Sequence, residues 1–264
     1  MKEDWKKLID GIERALKLRT APVGIRFVAD EGELKSIERL RIAKKMSFTC
    51  QLITAARTYG AITAITAGNT SAVCGNVLGL CDKPEKVKDG SLRNVVWCRT
   101  MEDAKKFEDA VPHVPLGKYK AVVIGPQAAA AFEPNMVLFY GNPAQMILII
   151  NALQFEDYER LQFYCVGETS CSDVIAQCYN SGKPSLSIPC FGERRFGHAQ
   201  DDELAIAIPA ALVSKVNRNL EALAKRGIRY PIAYFGTQVD PTVGLPPAYH
   251  EILNITEHVK AQKK

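Results

Sequence analysis

The chain has 264 residues, 47% of them apolar and 24% charged. That balance suits a globular protein with one or two domains and excludes disordered, collagen-like and coiled-coil classes. Thirty-four Lys and Arg against 29 Asp and Glu give a net charge of only +5. The basic residues are scattered in small clusters such as Lys6-Lys7 and Lys44-Lys45, so no nucleic-acid partner is expected.

Asp4–Arg19 carries Trp5, Leu8, Ile9, Ile12 and Leu16 at three- and four-residue steps, the period of an amphipathic helix. Pro22–Val28 reads as a strand and Glu33–Lys45 as a charged helix. Thr49–Tyr59 reads as a buried helix stopped by Gly60, and Ala61–Thr66 as a short strand. Tyr119–Ile124 and Met136–Tyr140 are strands closed by Gly125-Pro126 and Gly141-Asn142-Pro143. A helix follows over Ala144–Leu153, then a strand over Leu161–Val166 and a short helix over Ser172–Tyr179. Glu203–Ile208 is a weakly alternating strand. Pro209 and Gly227 punctuate a long helix, Ala210–Arg226. A last helix is expected over Tyr249–Ala261. No linker or repeat divides the chain. The expectation is α+β, one compact domain over residues 1–264 with a mixed sheet flanked by helices, and a subdivision near 111–118 at most.

The first residues are charged throughout and lack an apolar secretory core. The longest uncharged run, Pro134–Phe155, holds two prolines and a Gly-Asn-Pro turn. It reads as strand, turn and helix rather than as a membrane span. A cytoplasmic location without a membrane partner is the expectation.

Cysteine is the unusual count: Cys50, Cys74, Cys81, Cys98, Cys165, Cys171, Cys178 and Cys190. In a cytosolic chain disulfides are disfavoured, leaving packing, metal binding or reactivity. No C-x-x-C occurs, so ferredoxin, zinc-finger and c-type haem spacings are absent. Only four histidines are present, so a metal site with enough ligands would be built from thiolates in separate segments. Cys74-Gly75 places a thiol beside a glycine that permits close approach of a bulky inorganic group. Cys171 precedes a short helix, whose N-terminus would favour its thiolate. Cys190 follows Ile188-Pro189 and precedes Phe191-Gly192-Glu193-Arg194-Arg195. The two arginines could hold an anion, or pair with Glu193, Asp201, Asp202 or Glu203.

Gln127 and Gln145 each follow a strand-ending Gly-Pro or Asn-Pro turn and could present an amide to a ligand, although Asn142 and Pro143 are also explained by helix capping. Dinucleotide, P-loop, G-x-S-x-G and H-E-x-x-H signatures are all missing.

Ala21-Pro22-Val23-Gly24, Cys50, Cys74-Gly75 leading to Leu78-Gly79-Leu80, and the Gly125-Pro126 and Gly141-Asn142-Pro143 turns form a pattern. So do Ser185–Arg194 with Cys190-Phe191-Gly192-Glu193-Arg194, then Asp202-Glu203-Leu204 and Pro209. In these features the chain resembles the domain of unknown function 169 family, the uncharacterised ArCR group, over nearly its whole length. The resemblance carries no assigned reaction. It implies an anaerobe-type protein and places Cys50, Cys74, Cys171 and Cys190 in family-like segments.

Four thiols are the number a [4Fe–4S] cluster or a structural zinc requires. The leading expectation is an iron–sulfur protein with a redox or ligand-activating role. Cys50, Cys74, Cys171 and Cys190 are its metal ligands, and Gly75, Gln127, Gln145, Arg194 and Arg195 its cofactor-binding residues. The alternatives are a non-catalytic small-molecule or haem-binding protein and an enzyme with a cysteine nucleophile. Zinc, or no metal at all, stays open as the cofactor state. A small-molecule ligand or redox partner protein and a homo-oligomer are expected.

Overall fold

In the computed structural model, residues 4–43 and 45–233 are described. Their apolar and β-branched runs form seven strands: β1 (Val23–Val28), β2 (Arg41–Ile42), β3 (Thr63–Thr66), β4 (Ala121–Pro126), β5 (Met136–Gly141), β6 (Ser185–Ser187) and β7 (Leu204–Pro209). They make one open sheet in the order β2-β3-β4-β1-β5-β7-β6. The β2–β3 pair is parallel and the others are antiparallel, so the sheet is mixed. The fold is α+β, as the sequence implies.

The helices are α1 (Trp5–Leu16), α2 (Thr49–Tyr59), α3 (Ala72–Val77), α4 (Glu85–Lys88), α5 (Ser91–Val96), α6 (Met101–Ala110), α7 (Pro143–Gln154), α8 (Gln177–Ser181), α9 (Phe191–Gly197) and α10 (Ala210–Lys225). Strand β5 shows how they divide. Its side chains alternate between the two faces of the sheet. Val137 and Phe139 join a core with Ile9 and Ile12 of α1, Ile149 of α7 and Val216 of α10. Met136, Leu138 and Tyr140 join the opposite core, with Leu52 and Ile53 of α2, Val77 of α3 and Val174-Ile175. No helix among the described residues is long and apolar enough to cross a membrane.

Three local expectations change. Glu33–Lys45 is not a helix. A 3₁₀ turn spans Glu31–Ser36, and Ile37 then leaves helical geometry. Arg41-Ile42 pairs with Thr63-Ala64, while Leu34 and Ile37 bury themselves against Ala64 and Val123. Sheet pairing and burial override the helix propensity of the charged residues. Leu161–Val166 is not a strand. Leu161 packs against one core and Val166 against the other, so the segment crosses between the faces of the sheet. Ser172–Tyr179 begins as a π-helical turn, Ser172–Ala176, before α8. The helix expected over 249–261 lies outside the described residues.

The loop over 111–118 is fastened to the end of α3. Val114 N–H donates to Val77 O (2.9 Å) and Gly117 N–H to Gly79 O (3.0 Å). Gly79 must be glycine here: its φ is +71°, and a Cβ would stand 2.6 Å from Pro115 O.

A buried ion pair ties α2 to the start of β7. Arg57 of α2 makes two 3.0 Å hydrogen bonds to the Glu203 carboxylate, and their side chains are only 3% and 2% exposed. The Arg57 guanidinium also lies 4.1 Å from the centre of the Tyr140 ring. Removing one partner strands a buried charge, so Arg57→Ala is expected to cost about 3–5 kcal/mol of unfolding free energy. Urea denaturation of R57A, E203A and the double variant checks this. The double variant should lose clearly less than the two single losses added together.

Candidate functional site

Cys50 lies in the first turn of α2, where Phe48 N–H donates to Gln51 Oε1 (2.9 Å). Cys74 lies inside α3, whose first turn is capped by the Ser71 hydroxyl accepting from Cys74 N–H (3.2 Å). Cys171 immediately precedes the π-helical turn, a distortion frequent at functional sites. Cys190 opens α9, and its Sγ accepts from Glu193 N–H (3.4 Å).

These four segments enclose one cavity of about 180 Å³, and all four cysteines line it. Arg93, Glu168, Ser170 and Glu193 complete its polar wall. Phe48 and Phe196, stacked with ring centres 4.9 Å apart, form an apolar edge. Gly197 makes the closure possible, because a Cβ there would come within 2.8 Å of Cys50 Cβ. α2 and α9 are also tied where the Thr54 hydroxyl donates to Gly197 O.

Behind the thiols lies a buried polar network. Glu193 accepts hydrogen bonds from the Tyr140 and Ser170 hydroxyls. Ser170 Oγ in turn accepts from Cys190 N–H (3.3 Å). Burial raises the Glu193 carboxyl above the usual carboxylate range, against the pull of those two hydroxyls and of Arg57. Burial, then Glu193, pushes the Tyr140 phenol well up. Cys50 is raised by burial first and by Glu193, Cys74 and Cys190 next. Cys171 is pushed well above the ordinary thiol range by burial, and further by Cys74, Glu193, Cys50 and Cys190. Burial also raises Cys190, partly offset by hydrogen bonds to Ser170 and Glu193.

This corrects the expectation of a low-pKa Cys171. Desolvation of the thiolate outweighs any help from the following turn. Burial favours the protonated form of Cys50, Cys171 and Cys190, unlike an activated nucleophile.

The residues expected beside the cysteines fare differently. Gly75 sits next to Cys74, but its missing Cβ makes room for Cys81 Sγ at 2.7 Å, outside the cavity lining. Gln145 does not reach the cavity. Its Oε1 accepts from Asn142 N–H (2.8 Å), and its Nε2 donates to Leu16 O (2.9 Å) and Lys17 O (3.2 Å). It caps α7 and ties α1 to it, which leaves no amide for a ligand. Gln127 is buried against Gly24 and Phe132, away from the thiols. Arg194 donates to Pro189 O (3.1 Å) and Gln200 O (2.7 Å) and pairs with Asp201 at 3.5 Å. Arg195 is exposed and outside the lining. Neither arginine pairs with Glu193, whose carboxylate is occupied by the two hydroxyls.

Sequence reasoning missed Glu168, Arg93 and Ser170. The run Gly167-Glu168-Thr169-Ser170-Cys171 was legible as a polar loop leading to a cysteine, and Arg93 carried no signal. A larger cleft of about 380 Å³ runs past Arg160, Tyr164 and Lys183. It contains no cysteine, and its wall holds an exposed Lys183–Glu159 ion pair. The smaller cavity is the chemically distinctive one.

The profile of the uncharacterised ArCR family, domain of unknown function 169, matches residues 11–219. The chain belongs to this family. The match takes in every cavity residue named above. The chain is also 27% identical over 121 residues to an uncharacterised protein of Methanocaldococcus jannaschii. That alignment covers 46% of the chain, and the chain spans about half (52%) of the relative. No solved structure matches it. Among the described residues, no group of three or more His, Cys, Asp or Glu side chains is arranged to hold a metal ion.

Two measurements check the site in the metal-free protein. Timed alkylation near neutral pH, read by mass spectrometry, should label exposed Cys165 first. Cys171, half-buried at the cavity wall with its thiol raised by burial, should react slowly, and Cys178, its thiol pushed by burial to about 12, only after unfolding. Gly197→Ala should push α9 from α2 and lower the unfolding free energy by about 1–3 kcal/mol, as overpacking does.

Proposed function

We propose that the cavity holds an iron–sulfur cluster of the [4Fe–4S] type, with Cys50, Cys74, Cys171 and Cys190 as its ligands. The observation that carries the reading is that four separated segments deliver four thiols to one cavity. Cys74 and Cys171 also contribute to the core, whereas Cys50 and Cys190 are only half-buried. Cys178, the fully apolar case, is simply buried in the core beside Val174. A cluster also supplies what the raised thiols lack, because iron binds the thiolate and displaces its proton.

Four thiols on one cavity of modest volume favour a cluster over the other cofactors. A tetrahedral zinc site with Zn–S bonds of about 2.3 Å gathers its sulfurs around one point. No such group exists among the described residues. A cluster carries its ligands at separate corners and tolerates a wider spread. A haem is too large: about 180 Å³ falls below the roughly 300–1,000 Å³ of cavities that enclose drug-sized molecules. The network behind the thiols fits a tuning role, since hydrogen bonds and burial set cluster potentials. The redox or ligand-activating role is part of the proposal.

Expression and purification under anoxia, with iron, zinc and acid-labile sulfide assayed on one sample, test the reading. Iron and sulfide in equal amounts, with a broad visible charge-transfer band, are expected. Serine at Cys50, Cys74, Cys171 or Cys190 should each lower the iron content strongly. Serine at Cys98 or Cys165 should not. A colourless, iron-free protein that also fails to take up iron and sulfide on reconstitution overturns it.

A further inference from the structure

The cavity has one carboxyl group whose position neither packing nor ion pairing explains. Glu168 lines it together with the thiols. Its Oε2 is buried and has no hydrogen-bond partner among the described residues. A buried oxygen without a partner destabilises the fold, and more so when the group is charged. The side chain lies close to α9, since a Cβ on Gly192 would meet Glu168 Oε1 at 3.1 Å. It also lies near enough to Cys190 to disfavour that thiolate.

The backbone around Glu168 is held in a costly shape. Gly167 has φ +84° and Thr169 has φ +62°. A β-branched residue in the left-handed region is rare and strained. It persists only where the surroundings over-determine it. Here Arg93 Nη2 donates to Thr169 Oγ1 (2.7 Å), and Arg93 is itself anchored by a buried 2.5 Å contact from its Nε to Glu108. Ser172 N–H donates to Thr169 O (2.8 Å). The clamp fixes Glu168 and Cys171 together as two projections of one turn.

We propose that Glu168 is a further cofactor-binding residue. Its Oε2 donates a lone pair to an electropositive centre of the cavity's occupant, which in the cluster reading is an iron. This deepens the iron–sulfur proposal and rests on it. The iron keeps its thiolate, gains one oxygen donor, and nothing is oxidised or reduced. The group that costs stability in the metal-free protein thereby contributes to holding the cluster.

The test uses the full chain with Glu168→Gln and Glu168→Met, each prepared metal-free and after anaerobic reconstitution with iron and sulfide. Two quantities are read: the thermal midpoint of the metal-free protein, and the rate at which a chelator removes iron from the reconstituted one. The proposal expects both variants to lose iron faster, about 10–100-fold if Glu168 matters as supporting residues at metal sites do. It also expects the metal-free Glu168→Met protein to be at least as stable as wild type, because an unpaired buried oxygen has been removed. Iron loss within twofold of wild type in both variants overturns the proposal and leaves the cluster standing. Metal-free midpoints that fall in both variants make Glu168 a structural residue and also overturn it. A wild-type protein that takes up no iron or sulfide overturns the cluster reading, and this one with it.

Discussion

The cysteine cavity depends on a buried polar spine between the sheet and α2. Arg57 pairs bidentately with Glu203 at the start of β7 and lies over the ring of Tyr140 in β5. Tyr140 donates to Glu193 in α9, and Glu193 also holds Ser170. Five segments are thus connected, by charge-assisted and hydroxyl hydrogen bonds and one cation–π contact, in a region of low dielectric. Such contacts are strong when every partner is present and costly when one is missing. They fix the relative positions of Cys50, Cys171 and Cys190, each carried by an element of this spine.

The sheet has a different task. Its alternating strands bury one core under α1, α7 and α10 and a second under α2, α3 and the π-helical turn. The first core is closed and apolar, with Gln145 and Asn219 using their amides to tie helices together. The second is interrupted at its edge by the thiols and carboxyls. One face of the sheet therefore supplies rigidity, while the other supports polar groups whose burial costs energy. Stability from the first offsets the strain stored at Thr169 and the desolvation of Glu193 in the second.

Much was legible in the residues. The strand periods of β1, β4, β5 and β7 and the helices α1, α2, α7 and α10 follow from apolar spacing and from Gly and Pro punctuation, which are local signals. The stretch over 72–110 was not legible, because its four short helices are set by contacts with one another and with the 111–118 loop rather than by periodicity. Gln127 and Gln145 were misplaced for a related reason. A glutamine after a turn looks the same in sequence whether its amide faces a ligand or, as with Gln145, the carbonyls of another helix.

The sequence by itself determined the α+β class, the family pattern and which residue types are available for chemistry. Excess cysteine and scarce histidine narrowed any metal site to thiolates before a coordinate was known. Only the tertiary structure decided that Cys50, Cys74, Cys171 and Cys190 share a cavity, and that Glu168 and Arg93 stand with them while Arg194 and Arg195 do not. The reason is physical. Convergence of segments over a hundred residues apart is fixed by long-range burial and pairing, such as Arg57 with Glu203, and these leave no local period in the chain.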